Sequence, residues 1–244
     1  MSETTRVALV TGASGGIGRA VARRLAADGM AVGVHYAGNK AAAEETVAAV
    51  EAAGGRAVAV HGDVADEGAM ADAFAAVEEA FGGIDVVVHT AGVMTLGPVD
   101  AFDLDAFDRL MRTNVRGAFV VAREAARRVR DGGAVVTFST SVTRLAFPGY
   151  APYAASKGAV EAMTLVLARE MRGRDVTVNA VAPGPTATPL FLDGKDQETI
   201  DRLAAQPPLE RLGTPEDIAE TVAFLAGPGR WVNGQVLFAN GGIA

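Results

Sequence analysis

Cysteine is absent from all 244 residues. That excludes disulfides and thiolate metal sites, and it leads us to expect a reducing compartment, the cytoplasm. Histidine is scarce. His35, His61 and His89 sit at the ends of three different apolar runs without metal-ligand spacing, so no metal is expected. A positive excess is missing too. Lys and Arg number 22 against 29 acids, for a net charge of −7, and no basic stripe stands out. Nucleic acid and anionic membranes are therefore poor partners. No apolar run approaches the roughly 20 residues that span a bilayer, so no membrane partner is expected. The opening "MSETTR" is polar and passes directly into an apolar run, so no cleaved leader is expected either.

What remains is a chain rich in apolar residues, 50% of the total, enough for one large core. Short β-branched runs alternate with longer Ala-rich helical patterns. The strand candidates are 6–10, 31–36, 56–62, 84–90, 133–140, 176–183 and 235–240. Helical patterns fall near 16–28, 40–53, 67–81, 103–130, 153–172 and 214–226. Several strands are apolar on both faces, as in a parallel sheet covered by helices on both sides. The expected fold is α/β, a single-domain, Rossmann-like doubly wound parallel sheet of about seven strands over 1–244. One proline-punctuated stretch, 184–213, breaks the rhythm and holds a single helical pattern at 195–205. An insertion at that place reads as a substrate loop.

In such a sheet, ligands bind beyond the C-terminal ends of the strands. The stretch "TGASGGIG" (11–18) lies there, after the first strand. Glycine allows a tight turn and a close approach of backbone amides to a phosphate, and the next helix N-terminus adds positive charge. The Lys and Ser/Thr of a triphosphate P-loop are missing. A glycine cluster alone is also an ordinary tight turn. Its place after the first strand favours a dinucleotide.

At the end of strand two, NAD-binding chains place an acid for the ribose 2′-hydroxyl. Here the sequence reads Tyr36, Ala37, Gly38, Asn39, Lys40, with no carboxylate to repel a 2′-phosphate. Asn39 and Lys40 can donate to one, which favours NADP over NAD. Lys40 can equally be a solvated residue of the next helix. Asp63, at the end of strand three, can accept from an adenine amino group or cap a turn.

Tyr153 and Lys157 in "YAASK" share one helical face. A phenol titrates near pH 10, and a neighbouring ammonium favours the phenolate. Such a phenol can exchange a proton with an alcohol while hydride moves to or from a nicotinamide. The spacing is common by accident, so its company matters. "FSTSV" (138–142) brings hydroxyls to the end of strand five, and Asn114 interrupts a helical pattern with an amide. Separately each is an ordinary structural residue; together, on one chain with a phosphate loop, they point to a catalytic site.

At this point the chain resembles the short-chain dehydrogenase/reductase family over essentially all of 6–242. The motifs appear in order. "TGASGGIG" is similar to its T-G-x-x-x-G-x-G loop, and "HTAG" (89–92) to its N-N-A-G, with His89 and Thr90 in place of the asparagines. Asn114 matches the tetrad asparagine, "YAASK" the tyrosine and lysine, and "VNAVAPGPTAT" the segment at the nicotinamide end. The tetrad serine lies thirteen residues before the tyrosine in many members. That position is Thr140 here, while the adjacent Ser141 has the usual residue type; both stay open.

The resemblance implies a cofactor site built from Gly12, Ser14, Gly15, Gly16, Ile17 and Gly18 and from Tyr36, Ala37, Asn39 and Lys40. Further on it takes Asp63, Val64, Thr90, Ala91 and Gly92, then Tyr153 and Lys157, and finally Pro183, Gly184, Thr186 and Thr188. It implies that Lys157 lowers the phenol pKa, that Asn114 holds a relay water, and that His89 packs against a helix. Many NADP-preferring members place a basic residue where this chain has Gly15. Still, "HYAGNK" looks most like relatives of trihydroxynaphthalene reductase and 3-oxoacyl carrier-protein reductases, which mostly use NADPH. The expected activity is NADP(H)-dependent interconversion of a small-molecule ketone and a secondary alcohol, in a homotetramer. A dinucleotide sensor, an epimerase or dehydratase, and an NAD-dependent sugar or alcohol dehydrogenase are the rivals.

Overall fold

The structure, a computed structural model, describes residues 5–244. Its centre is one seven-stranded parallel sheet. The strands are β1 (Val7–Thr11), β2 (Ala31–Tyr36), β3 (Arg56–His61), β4 (Ile84–His89), β5 (Val129–Phe138), β6 (Thr177–Pro183) and β7 (Val236–Ala239). They lie in the order β3-β2-β1-β4-β5-β6-β7. Every residue of β1 and β2 is buried, as in inner strands of a parallel sheet covered by helices on both faces.

Helices cover both faces. On one, α1 (Gly16–Ala27) and α10 (Pro215–Ala226) bury Val21, Leu25, Ile218, Val222 and Leu225 against Val10, Val34 and Val88. On the other, α3 (Glu67–Phe81), α5 (Gly117–Arg128) and α7 (Ala151–Glu170) bury Met70, Phe74, Val121 and Leu167 against Leu9, Val87 and Val135. Helix α2 (Lys40–Ala52) links β2 to β3. The chain runs outward from β1 to β3, then returns to β4 on the other side of β1. This reversal opens a crevice at the strands' C-terminal ends. The register Thr11↔His89 brings the residues after β4 directly beside the glycine loop.

Two departures from the sequence pattern shape the site. The continuous helix expected over 103–130 is broken into α4 (Leu104–Met111), a π-helical turn (Arg112–Arg116) and α5. Periodicity over such a stretch cannot register one inserted residue. Strand β5 begins at Val129 and ends at Phe138, so Ser139, Thr140 and Ser141 lead out of the sheet into a short helix, α6 (Val142–Leu145). The proline-punctuated segment holds α8 (Pro189–Leu192), capped by Thr188, and α9 (Gln197–Ala204), capped by Asp196. The first is too short to show as a pattern. Among the described residues, no helix is long and apolar enough to cross a membrane.

Candidate active site

The glycine loop is shaped by two needs. Gly12 and Gly16 adopt positive φ, +69° and +51°, which L side chains rarely accept. Gly18 needs close approach: a Cβ there would stand 2.3 Å from the Gly12 carbonyl oxygen and 2.6 Å from Thr90 Oγ1. Thr90 holds the other side of the turn by donating to the Thr11 carbonyl at 2.5 Å. Gly15 is extended, and no side chain caps the N-terminus of α1. The first-turn amides are left free for an anion, and the helix dipole favours one. A Cβ-free cradle at a helix start, on a switch point, fits the pyrophosphate of a dinucleotide.

The groove that continues from this loop is lined by Ser14, Ile17, Ala37, Gly38, Asp63, Val64, Ala91 and Gly92, with the glycines above. Asp63 accepts from the Ala65 amide and, at 2.6 Å, from Arg112, a residue the sequence did not single out. Burial works to raise its pKa, but those bonds outweigh it and hold the carboxyl below its usual value. Three of the residues expected to hold the cofactor do not line this groove. Tyr36 is buried in the core against His61, with ring centroids 5.2 Å apart. Asn39 caps α2 by accepting from Ala42 N at 3.0 Å. Lys40 is exposed and turned to Glu44 at 3.4 Å. The capping preference of Asn and the i,i+4 ion pair claim these side chains locally.

His89 is buried at the end of β4. Its Nδ1 meets the Thr11 hydroxyl at 2.8 Å. Full burial, with Lys157 and His35 adding to it, pushes its pKa down to about 3.

A second cavity, about 150 Å³, opens from the groove past Ile17, Gly92, Val93 and Phe138. Its floor carries Thr140, Tyr153 and Lys157. Its walls are apolar, from Met94, Val142, Leu145, Phe147, Leu190, Phe191 and Leu203, with Tyr150 on one side. Pro183, Gly184 and Thr186 line this cavity rather than the glycine groove, and Thr188 borders both. The aromatic lining from Phe147 and Tyr150, packed edge to face at 5.9 Å, was not anticipated. Its only trace in the sequence is Tyr150 standing three residues before Tyr153, one turn away.

Burial pushes the Tyr153 phenol up to about 12; a hydrogen bond with Thr140 opposes this and the nearby Tyr150 adds to it. Desolvation also pulls Lys157 down to about 8. The Lys157 Nζ donates to the Phe138 carbonyl at 2.8 Å and stands 5.9 Å from the Tyr153 ring centre. Of the two candidate hydroxyls, Thr140 faces the phenol. Ser141 turns into the protein, donating to Ala182 O at 3.4 Å and accepting from Asn240 Nδ2 at 3.1 Å. Asn114 lies buried in the π turn. Its amide gives hydrogen bonds to Val93 O (2.9 Å) and Ser156 Oγ (3.1 Å) and takes one from Val93 N (2.9 Å). A side chain so fully engaged positions the segment after β4.

A dinucleotide cradle joined to a cavity with a buried phenol, hydroxyl and lysine is the outline of a nicotinamide-dependent oxidoreductase. Residues 12–244 match a family model described as "Enoyl-(Acyl carrier protein) reductase". A "Short-chain type dehydrogenase/reductase" of Picea abies is 44% identical, covering 97% of this chain and 92% of that protein. An Arabidopsis thaliana "NADPH-dependent aldehyde reductase-like protein, chloroplastic" is 40% identical, covering 97% and 93%. The crystal structure of an angucycline C-6 ketoreductase with bound NADP superposes with a TM-score of 0.93 at 36% identity, covering 98% and 96% of the two chains. The chain belongs to the short-chain dehydrogenase/reductase family.

Proposed function

We propose that the protein is an NADP(H)-dependent carbonyl reductase that interconverts a hydrophobic ketone or aldehyde and the corresponding alcohol. The observation that carries this reading is the placement of Thr140, Tyr153 and Lys157 on the floor of an apolar cavity that opens into the glycine groove.

The cofactor is NADP(H). No carboxylate stands among Tyr36, Ala37 and Gly38 to repel a 2′-phosphate, and two of the similar proteins are named for NADPH or carry NADP. The glycine loop and the start of α1 hold the pyrophosphate, and Asp63 and Val64 border the adenine. When bound, the nicotinamide supplies or accepts the hydride.

Tyr153 donates its phenolic proton to the carbonyl oxygen in reduction and takes it back in oxidation. Burial favours the protonated phenol, the form that carries the proton given in reduction. Thr140 donates to the same carbonyl oxygen and fixes its orientation. Lys157, anchored on the Phe138 carbonyl, binds the nicotinamide-side ribose. Asn114 keeps Gly92 and Val93 in place between groove and cavity. Residues 184–213, through Leu190, Phe191 and Leu203, close the substrate side.

The apolar and aromatic walls favour a flat hydrophobic small molecule over a sugar. The same reading includes a homotetramer working in the cytoplasm as a single-domain unit. The exposed Phe119 on α5 and Leu165 and Val166 on α7 support assembly.

Calorimetric titration with NADPH and NADH tests the cofactor, and NADPH consumption across a ketone panel tests the chemistry. Tight NADPH binding with turnover of apolar ketones supports the reading. Absence of binding by either nucleotide overturns it.

A further inference from the structure

Three consecutive hydroxyls, Ser139, Thr140 and Ser141, lead away from the end of β5, and all three border the apolar cavity. Thr140 faces the Tyr153 phenol. Ser141 is taken by Ala182 and Asn240. Ser139 is taken by Glu161, which lies on α7 one turn beyond Lys157. The Ser139 hydroxyl donates to Glu161 Oε1 at 2.5 Å. The Thr143 hydroxyl stands 2.9 Å from that same oxygen and 2.9 Å from the Thr140 carbonyl, and can give its one proton to either. Both hydrogen-bond partners of the Glu161 side chain are therefore hydroxyls, one residue before Thr140 and three after it. An ionised carboxylate only accepts, so it turns the Ser139 proton toward α7 and away from the cavity.

Backbone bonds from the Ser139 and Ser141 amides to Val181 and Pro183 of β6, 2.8 and 2.9 Å, hold the same stretch within the sheet. They do not set its distance from α7, which packs on the face of the sheet and carries Tyr153. Glu161 supplies that link. We infer that Glu161 is a positioning residue for Thr140: by binding Ser139 and Thr143 on either side of it, the carboxylate ties the exit of β5 to α7 and fixes the Thr140 hydroxyl against the Tyr153 phenol. Glu161 does not line the cavity, so it acts through Thr140 alone. The inference rests on reading Thr140 and Tyr153 as the pair that meets the carbonyl oxygen.

The test is a double-mutant cycle between Glu161 and Thr140. It is read by steady-state kinetics on the apolar ketone that wild type reduces fastest, and by NMR of the tyrosine Cζ carbons in the protein alone. The chain has three tyrosines, so Tyr153 is separable from Tyr36 and Tyr150. Glu161→Leu should lower kcat about tenfold with NADPH affinity unchanged, and Glu161→Gln, which keeps an acceptor oxygen, should restore most of the rate. In a Thr140→Val background, Glu161→Leu should cost less than about twofold, because the hydroxyl it positions is gone. With no ligand present, Glu161→Leu and Thr140→Val should each shift the Tyr153 resonance and leave Tyr36 in place. Thr143→Val loosens the same tie from its loop end and carries the test if Glu161→Leu folds poorly; it should lower kcat about fivefold, again only where Thr140 is present. Wild-type kcat and an unmoved Tyr153 resonance in Glu161→Leu, beside an impaired Thr140→Val, overturn the inference and leave the catalytic reading intact. A loss of equal size with and without Thr140, or one that Gln does not recover, overturns it as well, since the carboxylate would then act elsewhere. A Thr140→Val variant as fast as wild type removes the reading of Thr140 and this inference with it.

Discussion

Asn114 and Val93 hold each other by a reciprocal pair of hydrogen bonds, each 2.9 Å, between the amide side chain and the Val93 backbone. The pair pins the segment after β4 to the π turn. Replacing Asn114 with Leu keeps the volume and strands the Val93 amide and carbonyl. Stability should fall by about 2 kcal/mol, and kcat at least tenfold, as Gly92 and Val93 loosen beside Lys157. Urea unfolding and steady-state rates check both. A variant as stable and active as wild type would show the pair to be incidental.

Tyr153→Phe should lower kcat by three orders of magnitude or about that, while NADPH affinity stays within about threefold. Thr140→Val should follow it with a loss of about a hundredfold or more. Ser141→Ala should leave kcat within about fivefold, because that hydroxyl faces Ala182 and Asn240. Rates for the three variants on one ketone suffice. A larger loss from Ser141→Ala than from Thr140→Val would reverse the assignment.

Gly15 is extended, and an added Cβ there would meet nothing within 4 Å. Gly15→Arg is therefore free of strain and places a guanidinium at the mouth of the glycine groove. NADPH should bind about tenfold tighter, with NADH nearly unchanged. Ala37→Asp should act in the opposite sense and shift preference toward NADH. Dissociation constants for both nucleotides decide it, and unchanged preference in both variants would misplace the 2′-phosphate.

Two buried neutral histidines make the fold acid-sensitive before its carboxylates do. Burial lowers His35 to about 4 and His89 to about 3, against 6.5 for the free side chain. Lowered folded-state values mean that the unfolded chain binds protons first. This stability is complete above about pH 6.5 and is lost as pH falls toward 4. Each histidine contributes a slope approaching about 1.4 kcal/mol per pH unit inside that window. Urea midpoints measured between pH 7.5 and 5 should decline, and His89→Asn should flatten the decline. A level profile would mean that the rings take up protons freely within the fold.

The sheet and the glycine loop were legible because they follow from burial: β1 and β2 are mostly apolar on both faces, and a turn with positive φ asks for glycine. The Tyr153–Lys157 face was legible from helical spacing. Other features depend on three-dimensional competition. Asn39 and Lys40 follow the end of β2, and the sequence could not show that Asn39 caps α2 or that Lys40 pairs with Glu44 on the helix surface. Thr140 and Ser141 are adjacent in sequence, and only the exit of the chain from β5 decides which hydroxyl meets the phenol. Helical spacing puts Lys157 on the face of Tyr153 but could not show that its ammonium donates to the Phe138 carbonyl.

The π turn at Arg112–Arg116 is an insertion frozen into a helix. Removing one residue from it would let α4 run into α5 as a single regular helix, a gain in local order. The same deletion would rotate everything on one side of it by about 100° and swing the amide at 114 off the Val93 backbone. Substitutions along this stretch are graded in their cost; a one-residue deletion is not.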